Sequence, residues 1–152
     1  MKKLLLATAI MASLTGTAFA ADDEIKVGVL MGFTGPIESL TPNMASSAEL
    51  AFKEVSDSGA LLGGKKITVV RADSSCVDAA AATAAAERLV TSEKVVALVG
   101  ASCSGETTAV VNNVSAPNGV LSISPSATSP ALTTIADKGF FFRTAPSDAR
   151  QG

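Results

Sequence analysis

The stretch VVALVGASCSGETTAVVNNVSA, residues 95–116, decides the fold of this chain. Its first five residues form an apolar run of strand length without polar alternation, which predicts a strand buried on both faces of a sheet. A loop of small residues, 100–105, leads directly into a segment of helical period. The core stripe of that helix is predicted to be Thr107, Val110, Val111 and Val114. A buried strand followed at once by a helix is the repeating unit of a parallel sheet.

The same alternation extends in both directions from this stretch. Strands are predicted at residues 25–31, 66–71, 95–99, 120–123 and 140–142. Helices are predicted at residues 43–58, 78–92 and 105–116. The core faces of the first two helices are expected to hold Ala45, Ala48, Phe52 and Val55, and Ala79, Ala82, Ala86 and Leu89. The chain is therefore predicted to be α/β, a parallel sheet of about five strands with helices on both faces.

Residues 1–20 have the pattern of a secretory signal peptide. Two lysines precede an apolar run from Leu4 to Leu14, a short segment ending in Ala18-Phe19-Ala20 follows, and cleavage is expected after Ala20. A transmembrane anchor is disfavoured because polar residues and a glycine interrupt the run short of the roughly 20 residues that span a bilayer. Residues 21–145 are predicted to form one domain, and residues 146–152 to start a further helix.

The composition narrows the class of protein. The chain has 12 basic and 14 acidic residues and no histidine. A mildly acidic surface disfavours nucleic acid, which requires a clustered basic face. With no histidine and only Cys76 and Cys103, the usual ligands of a structural zinc site are missing, so neither a metal nor a cofactor is expected. In an exported chain, these two cysteines are predicted to form a disulfide.

Hydroxyls and small residues are concentrated at one edge of the predicted sheet. Ligands of an open parallel sheet bind beyond the carboxyl ends of its strands, where residues 32–36, 100–105 and 124–128 lie. Backbone N–H groups near Ser104, at the start of a helix, are predicted to hold an anion there. The three loops contain no Lys or Arg, which favours a single carboxylate over a phosphate. Alternatively, Ser104 only caps its helix and the other hydroxyls only shape turns.

Enzyme motifs are incomplete in this sequence. Residues 59–66 resemble a phosphate loop, but they run from helix to strand and lack the Ser or Thr that follows the lysine. Ser102 follows a strand as the nucleophile of a hydrolase does, yet the chain has no histidine to act as its general base. A serine hydrolase is therefore disfavoured, and no catalytic residue is predicted.

Four features together resemble one known family. They are IKVGVLMGFTGP at residues 25–36, the pair Cys76 and Cys103, ISPSATSP at 123–130 and FFRTAPSD at 141–148. In this order they resemble the leucine/isoleucine/valine-binding protein family of type I periplasmic binding proteins. The resemblance implies the strand order 2-1-3-4-5 and a protein of two lobes that closes on its ligand like a hinge. This chain would supply the N-terminal lobe.

The resemblance also implies a site. Ser104 matches the family's hydroxyl after the second cysteine, and the family's loop after the fourth strand matches Ser126, Ala127 and Thr128. These groups would hold the carboxylate and the ammonium of the ligand, and the family's disulfide matches the two cysteines. Near Leu40 the family commonly has an aromatic residue, so the ligand need not be leucine.

The function implied by the resemblance is binding without catalysis. The chain would be a monomeric, periplasmic substrate-binding component of an ABC transporter for a branched-chain or related amino acid or carboxylate. It would deliver this ligand to a permease in the inner membrane. The sequence stops where the family's second lobe begins, which predicts a truncated form. A periplasmic sensing or regulatory module with the same lobe is the alternative.

Overall fold

The computed structural model describes residues 24–150, which form a five-stranded parallel sheet. The strands are β1 (Glu24–Met31), β2 (Lys66–Asp73), β3 (Ala97–Gly100), β4 (Leu121–Ser124) and β5 (Phe141–Arg143). Their order in the sheet is β2-β1-β3-β4-β5, and every neighbouring pair is parallel. The predicted α/β class and strand order are confirmed.

Helices connect the strands. They are α1 (Thr41–Ser58), α2 (Ala79–Thr91), α3 (Ser104–Val110) and α4 (Ala116–Asn118), with a π-helical turn at Val111–Ser115 and 3₁₀ turns at Pro130–Thr133 and Asp148–Arg150. The third helix therefore begins one residue before its predicted start, and a π-helical turn interrupts it. α2 begins where predicted, because the Asp78 carboxylate accepts the N–H groups of Ala80 and Ala81.

The two faces of the sheet pack against different helices. Consecutive side chains of a strand point to opposite faces. In β1, Leu30 packs with Leu89 of α2, whereas the adjacent Val29 packs with Ala45 of α1. All four residues of the stripe predicted for the third helix are buried. Val110 and Val114 pack in the same cluster as Leu89 of α2. Burial of these apolar groups supplies the main stabilisation of the domain.

Two predicted helix core positions are wrong. Val55 is 42% exposed, because the neighbouring Ser56 occupies the buried position of this turn. The Ser56 hydroxyl accepts the N–H of Ile67 at 2.9 Å and so joins the end of α1 to β2. Ala79 is also exposed, since it is the first residue of α2 and precedes the turns that reach the sheet.

The third strand is shorter than predicted. It begins at Ala97, and Val96 is 59% exposed. The N–H of Val96 still donates to the Lys26 carbonyl at 2.9 Å, although its side chain is exposed. An apolar stretch of sequence does not show at which residue a strand becomes buried.

The structure leaves the predictions for both ends of the chain untested. The predicted signal peptide, residues 1–20, lies outside the described residues. Within residues 24–150, no helix is both long enough and apolar enough to cross a membrane. Between β5 and residue 150, where the described residues end, the structure shows a 3₁₀ turn at Asp148–Arg150, so the division into residues 21–145 and 146–152 stays a prediction.

Gly100→Ala is expected to destabilise the domain severely. Gly100 ends β3 with φ of +130°, and an added Cβ would collide with the backbone carbonyl oxygen of Leu30 in β1. Thermal unfolding followed by circular dichroism should show a lower Tm or no folded protein. Gly105→Ala is the control, since nothing lies near its Cβ position. Equal Tm values for the Gly100 variant and wild type would contradict the close strand approach.

Candidate ligand site at the carboxyl edge

The loops after β3 and β4 are fastened together at the carboxyl edge of the sheet. The Ser124 hydroxyl donates to the carbonyl of Ala101 at 2.6 Å, and the Ser126 hydroxyl donates to the carbonyl of Ser102 at 2.7 Å. The bond from Ser124 is buried and the bond from Ser126 is half-buried. The hydroxyls that the sequence placed at this edge therefore hold one loop against the other.

Ser104 contacts the β4 loop directly. Its hydroxyl oxygen accepts the backbone N–H groups of Thr128 and Ser129, both at 3.1 Å. A serine hydroxyl has two acceptor lone pairs and one O–H donor. Because both lone pairs are occupied, the remaining capacity of Ser104 is to donate. The structure thus brings two predicted site residues, Ser104 and Thr128, into contact.

Ser126 and Ala127 have supporting positions in the same loop. The Ser126 hydroxyl is used in the bond to Ser102. Ala127 is fully buried, and its N–H donates to the Ser124 hydroxyl at 3.0 Å. Neither side chain is free at the loop surface, so any contact of these residues with a ligand has to be made by the backbone. Their part in binding stays a prediction.

Arg143, at the end of β5, clamps the β4 loop from its other side. Its guanidinium donates to the carbonyls of Ala127 at 3.3 Å and Ser129 at 2.8 Å, and to the Thr133 hydroxyl at 2.6 Å. The planar guanidinium offers several donors in a fixed fork, which suits such a set of acceptors. The sequence interpretation missed this residue, although Arg143 stands within the quoted segment FFRTAPSD.

The Cys76–Cys103 disulfide joins the loops after β2 and β3. The two Cα atoms are 5.4 Å apart, within the range that a disulfide spans. β1 lies between β2 and β3, so these loops lean over the end of β1 to meet. The predicted pairing is thus present in the structure. Because each sulfur is bonded to the other, neither is available as a thiolate to bind a metal.

Asp73, the last residue of β2, fixes the start of the β1 loop. Its carboxylate accepts the N–H groups of Phe33 and Ser75, both at 2.9 Å, and the hydroxyl of Thr34 at 2.5 Å. Burial raises the pKa of Asp73, but the hydrogen bonds from Thr34, Ser75 and Phe33 outweigh burial and leave that pKa below its ordinary value. The sequence signal that could have indicated this role is an acidic residue at the end of a strand, where its carboxylate can accept N–H groups of a neighbouring loop.

Glu106 is a buried acidic residue, 2% exposed, with a carboxylate oxygen within 4.8 Å of both sulfurs of the disulfide. It is the third residue of α3, the position from which a glutamate reaches back toward the N-terminus of its helix. Burial raises its pKa to about 7. The N–H of Cys76, the hydroxyl of Ser74 and the N–H of Cys103 lower this pKa, and the charge of Asp73 raises it. Sequence reasoning gave Glu106 no role.

Ser102 and Leu40 differ in exposure. Ser102 is buried, and its hydroxyl oxygen has no hydrogen-bond partner among the described residues. With no histidine in the sequence, the usual general base for this hydroxyl is missing. Leu40 is 60% exposed and immediately precedes α1. It therefore presents an apolar surface at the loop where the resemblance implies an aromatic residue.

These features define a class of protein: an α/β lobe with a hydroxyl-rich, disulfide-bridged edge. Residues 24–152 match the model of a family described as periplasmic binding protein. The chain is 33% identical over 150 residues to the Leu/Ile/Val/Thr-binding protein of Salmonella typhimurium, an alignment that covers 99% of this chain and 39% of that protein. The chain belongs to the periplasmic binding protein family. It spans well under half the length of this relative.

Solved structures show the same lobe. The branched-chain amino acid transporter substrate-binding protein LivJ from Streptococcus pneumoniae, in complex with isoleucine, has a TM-score of 0.72 and 35% identity over 83% of this chain and 35% of its own. A solute-binding protein of an ABC transporter from R. palustris, in complex with benzoate, has a TM-score of 0.70 and 28% identity over 84% of this chain and 34% of its own.

Replacing both cysteines with serine should lower the free energy of unfolding by about 3.5 kcal/mol, the chain-entropy value for a loop of this size. Urea unfolding of oxidised wild type and the double variant measures the difference. Intact mass after alkylation without reductant is the accompanying control. Two alkylated thiols in wild-type material from an oxidising compartment would contradict the bridge.

Asp73→Asn is expected to cost about 1 kcal/mol at pH 7, because the charge-assisted hydrogen bonds to the β1 loop become neutral and the site is partly exposed. The pKa of Asp73 is lowered in the folded state. Its contribution is therefore present above the unfolded pKa and lost as the pH falls through the folded value. Urea unfolding from pH 7 downward measures this, with exposed Asp148→Asn as the control. A difference that persisted unchanged into strong acid would contradict the assignment.

Proposed function

We propose that this chain forms one lobe of the substrate-binding component of an ABC importer, and that it binds a branched-chain or related amino acid, or another small carboxylate, without catalysis. The observation that carries this proposal is the hydrogen bonding of the Ser104 hydroxyl. Its hydroxyl accepts two N–H groups from the β4 loop and can therefore only donate to a ligand. A donor at the carboxyl edge of a parallel sheet calls for a ligand with a strong acceptor.

The chemistry of the loops favours a carboxylate as that acceptor. Residues 100–105 and 124–128 contain no Lys or Arg, and the Arg143 guanidinium is occupied with loop oxygens. Hydroxyl and backbone donors suit one delocalised negative charge, whereas a phosphate calls for more charge compensation. Thr128 adds a half-buried hydroxyl beside Ser104.

The ligands named for the two solved relatives agree with this chemistry. One structure contains isoleucine and the other benzoate. The two molecules share a carboxylate and an apolar body, but only isoleucine has an ammonium group. We therefore assign recognition of the carboxylate to the Ser104 edge. Discrimination between apolar bodies is assigned to the β1 loop, where Leu40 is exposed.

The remaining parts of the proposal concern the whole protein. A hinged binding protein encloses its ligand between two lobes, and burial from both sides gives such a pocket its affinity. The residues described here would supply the carboxylate wall. The opposing wall and the partner for an ammonium group would come from a second lobe. We place the protein in the periplasm, exported by the signal at residues 1–20 and delivering its ligand to an inner-membrane permease.

Ser104→Ala is expected to weaken ligand binding about 10- to 100-fold, the loss that follows from removing one hydrogen bond to a charged group. The protein, including any sequence that its gene continues beyond residue 152, is titrated by calorimetry with leucine, isoleucine, valine and benzoate. Ser46→Ala is the matched control, because Ser46 is exposed on α1.

Two results would count against the proposal. If no member of this panel bound or raised the Tm of wild-type protein at millimolar concentration, the carboxylate proposal would fail. If a ligand bound equally well to wild type and to the Ser104 variant, binding would occur elsewhere on the protein.

A further inference from the structure

The bridged loops enclose an unusual concentration of unsatisfied polar atoms. Within the described residues, four buried side-chain atoms have no hydrogen-bond partner. Three of them belong to this region: Ser75 Oγ, Ser102 Oγ and Glu106 Oε1. Buried polar groups are normally paired, so such a cluster calls for an explanation. The cluster lies where the loops after β2 and β3 meet the first turn of α3.

Glu106 has weak partners for a buried carboxyl. The Ser74 hydroxyl lies 3.4 Å from Oε2, at the long limit of a hydrogen bond. The N–H groups of Cys76, from the β2 loop, and Cys103, from the start of α3, also favour the ionised form. The charged side chain that acts on Glu106 is Asp73 of β2, which has the same sign. The surroundings therefore compensate a negative charge only in part.

The position of Glu106 connects this cluster to the candidate site. Cys103 immediately precedes Ser104, and Glu106 follows Ser104 by two residues in the same helical turn. The Ser104 hydroxyl, in turn, is bonded to the N–H groups of Thr128 and Ser129. Side chains two residues apart on a helix point to different sides, so the Glu106 carboxyl faces Ser74 while the Ser104 hydroxyl faces the β4 loop. A charge on Glu106 therefore acts on a ligand at Ser104 through space, across the first turn of α3.

We propose that Glu106 is a proton-linked positioning residue of the carboxylate site, neutral when an anionic ligand binds most tightly and opposing the ligand when it ionises. This inference rests on the proposed function, since it requires an anionic ligand near Ser104. Two like charges close together at a low-dielectric site disfavour each other. By linkage, ligand binding and proton binding at Glu106 then favour each other.

The expected result is a pH-dependent affinity. Wild-type affinity for leucine or benzoate should fall about fivefold between pH 6 and pH 8, as expected for a group with a pKa of about 7 and a coupling of one pKa unit. Glu106→Gln mimics the neutral carboxyl and should keep the affinity measured at pH 6 across this range. Glu87→Gln, at an exposed position on α2, is the matched control and should follow wild type.

A measurement without ligand separates this inference from the proposed function. The folded pKa of Glu106, about 7, lies above its ordinary value. Wild type should therefore lose stability as the pH rises from about 4.5 through 7, whereas Glu106→Gln should not lose this contribution. The two proteins should have similar Tm values at pH 5, and the variant should melt several degrees higher at pH 8.

Each outcome has a distinct meaning. If no ligand binds at any pH but the Tm curves diverge as expected, the proposed function fails while the titration of Glu106 stands. If ligand binds with the same pH dependence in wild type and Glu106→Gln, the inference is overturned. Should the variant not fold, ¹³C NMR of glutamate carboxyls in wild type decides, because the absence of a carboxyl titrating near pH 7 would equally overturn it.

Discussion

The structure depends on the parallel pairing of β1 with both β2 and β3. This pairing places the loops after β2 and β3 on either side of the end of β1, within reach of each other. In that arrangement the Cα atoms of Cys76 and Cys103 are 5.4 Å apart, a distance that a disulfide spans. The same pairing requires Gly100, since the backbone of β1 passes too close to β3 for any side chain there. The close approach of strands and the covalent link between loops are thus two results of one sheet order.

Polar contacts at the carboxyl edge form a chain rather than a set of separate pairs. Asp73 holds the β1 loop to the end of β2, the disulfide holds β2 to β3, and Ser104 holds α3 to the β4 loop. Arg143 then holds the β4 loop to β5. The end of each strand is therefore joined by side chains to the end of at least one other strand at this edge, with β1 linked to β3 only through β2. A ligand carboxylate would meet a surface whose donors are already fixed in direction, which lowers the entropic cost of binding.

The sequence predicted the fold more completely than it predicted this network. Apolar runs of strand length and the stripe Thr107 to Val114 were sufficient for the α/β class, because burial of apolar residues follows periodicity. Exposure at Val55 and Val96 was missed, since a helix or strand can extend past the surface that covers it. Ser104 and Thr128 were found as candidates from hydroxyls at strand ends. Asp73, Glu106 and Arg143 were not, because their partners lie on other elements and sequence spacing does not show contacts between distant segments.

The place of the disulfide has a consequence for maturation of the protein. The sheet and its helices are held by apolar packing, which forms in any aqueous compartment. The bridged edge, by contrast, is completed only after two thiols are oxidised. Chain made in a reducing cytosol would therefore acquire the sheet without the covalent link between the loops after β2 and β3. In this protein the redox state of the surroundings would then set both the rigidity of one edge and part of the free energy of unfolding of the domain.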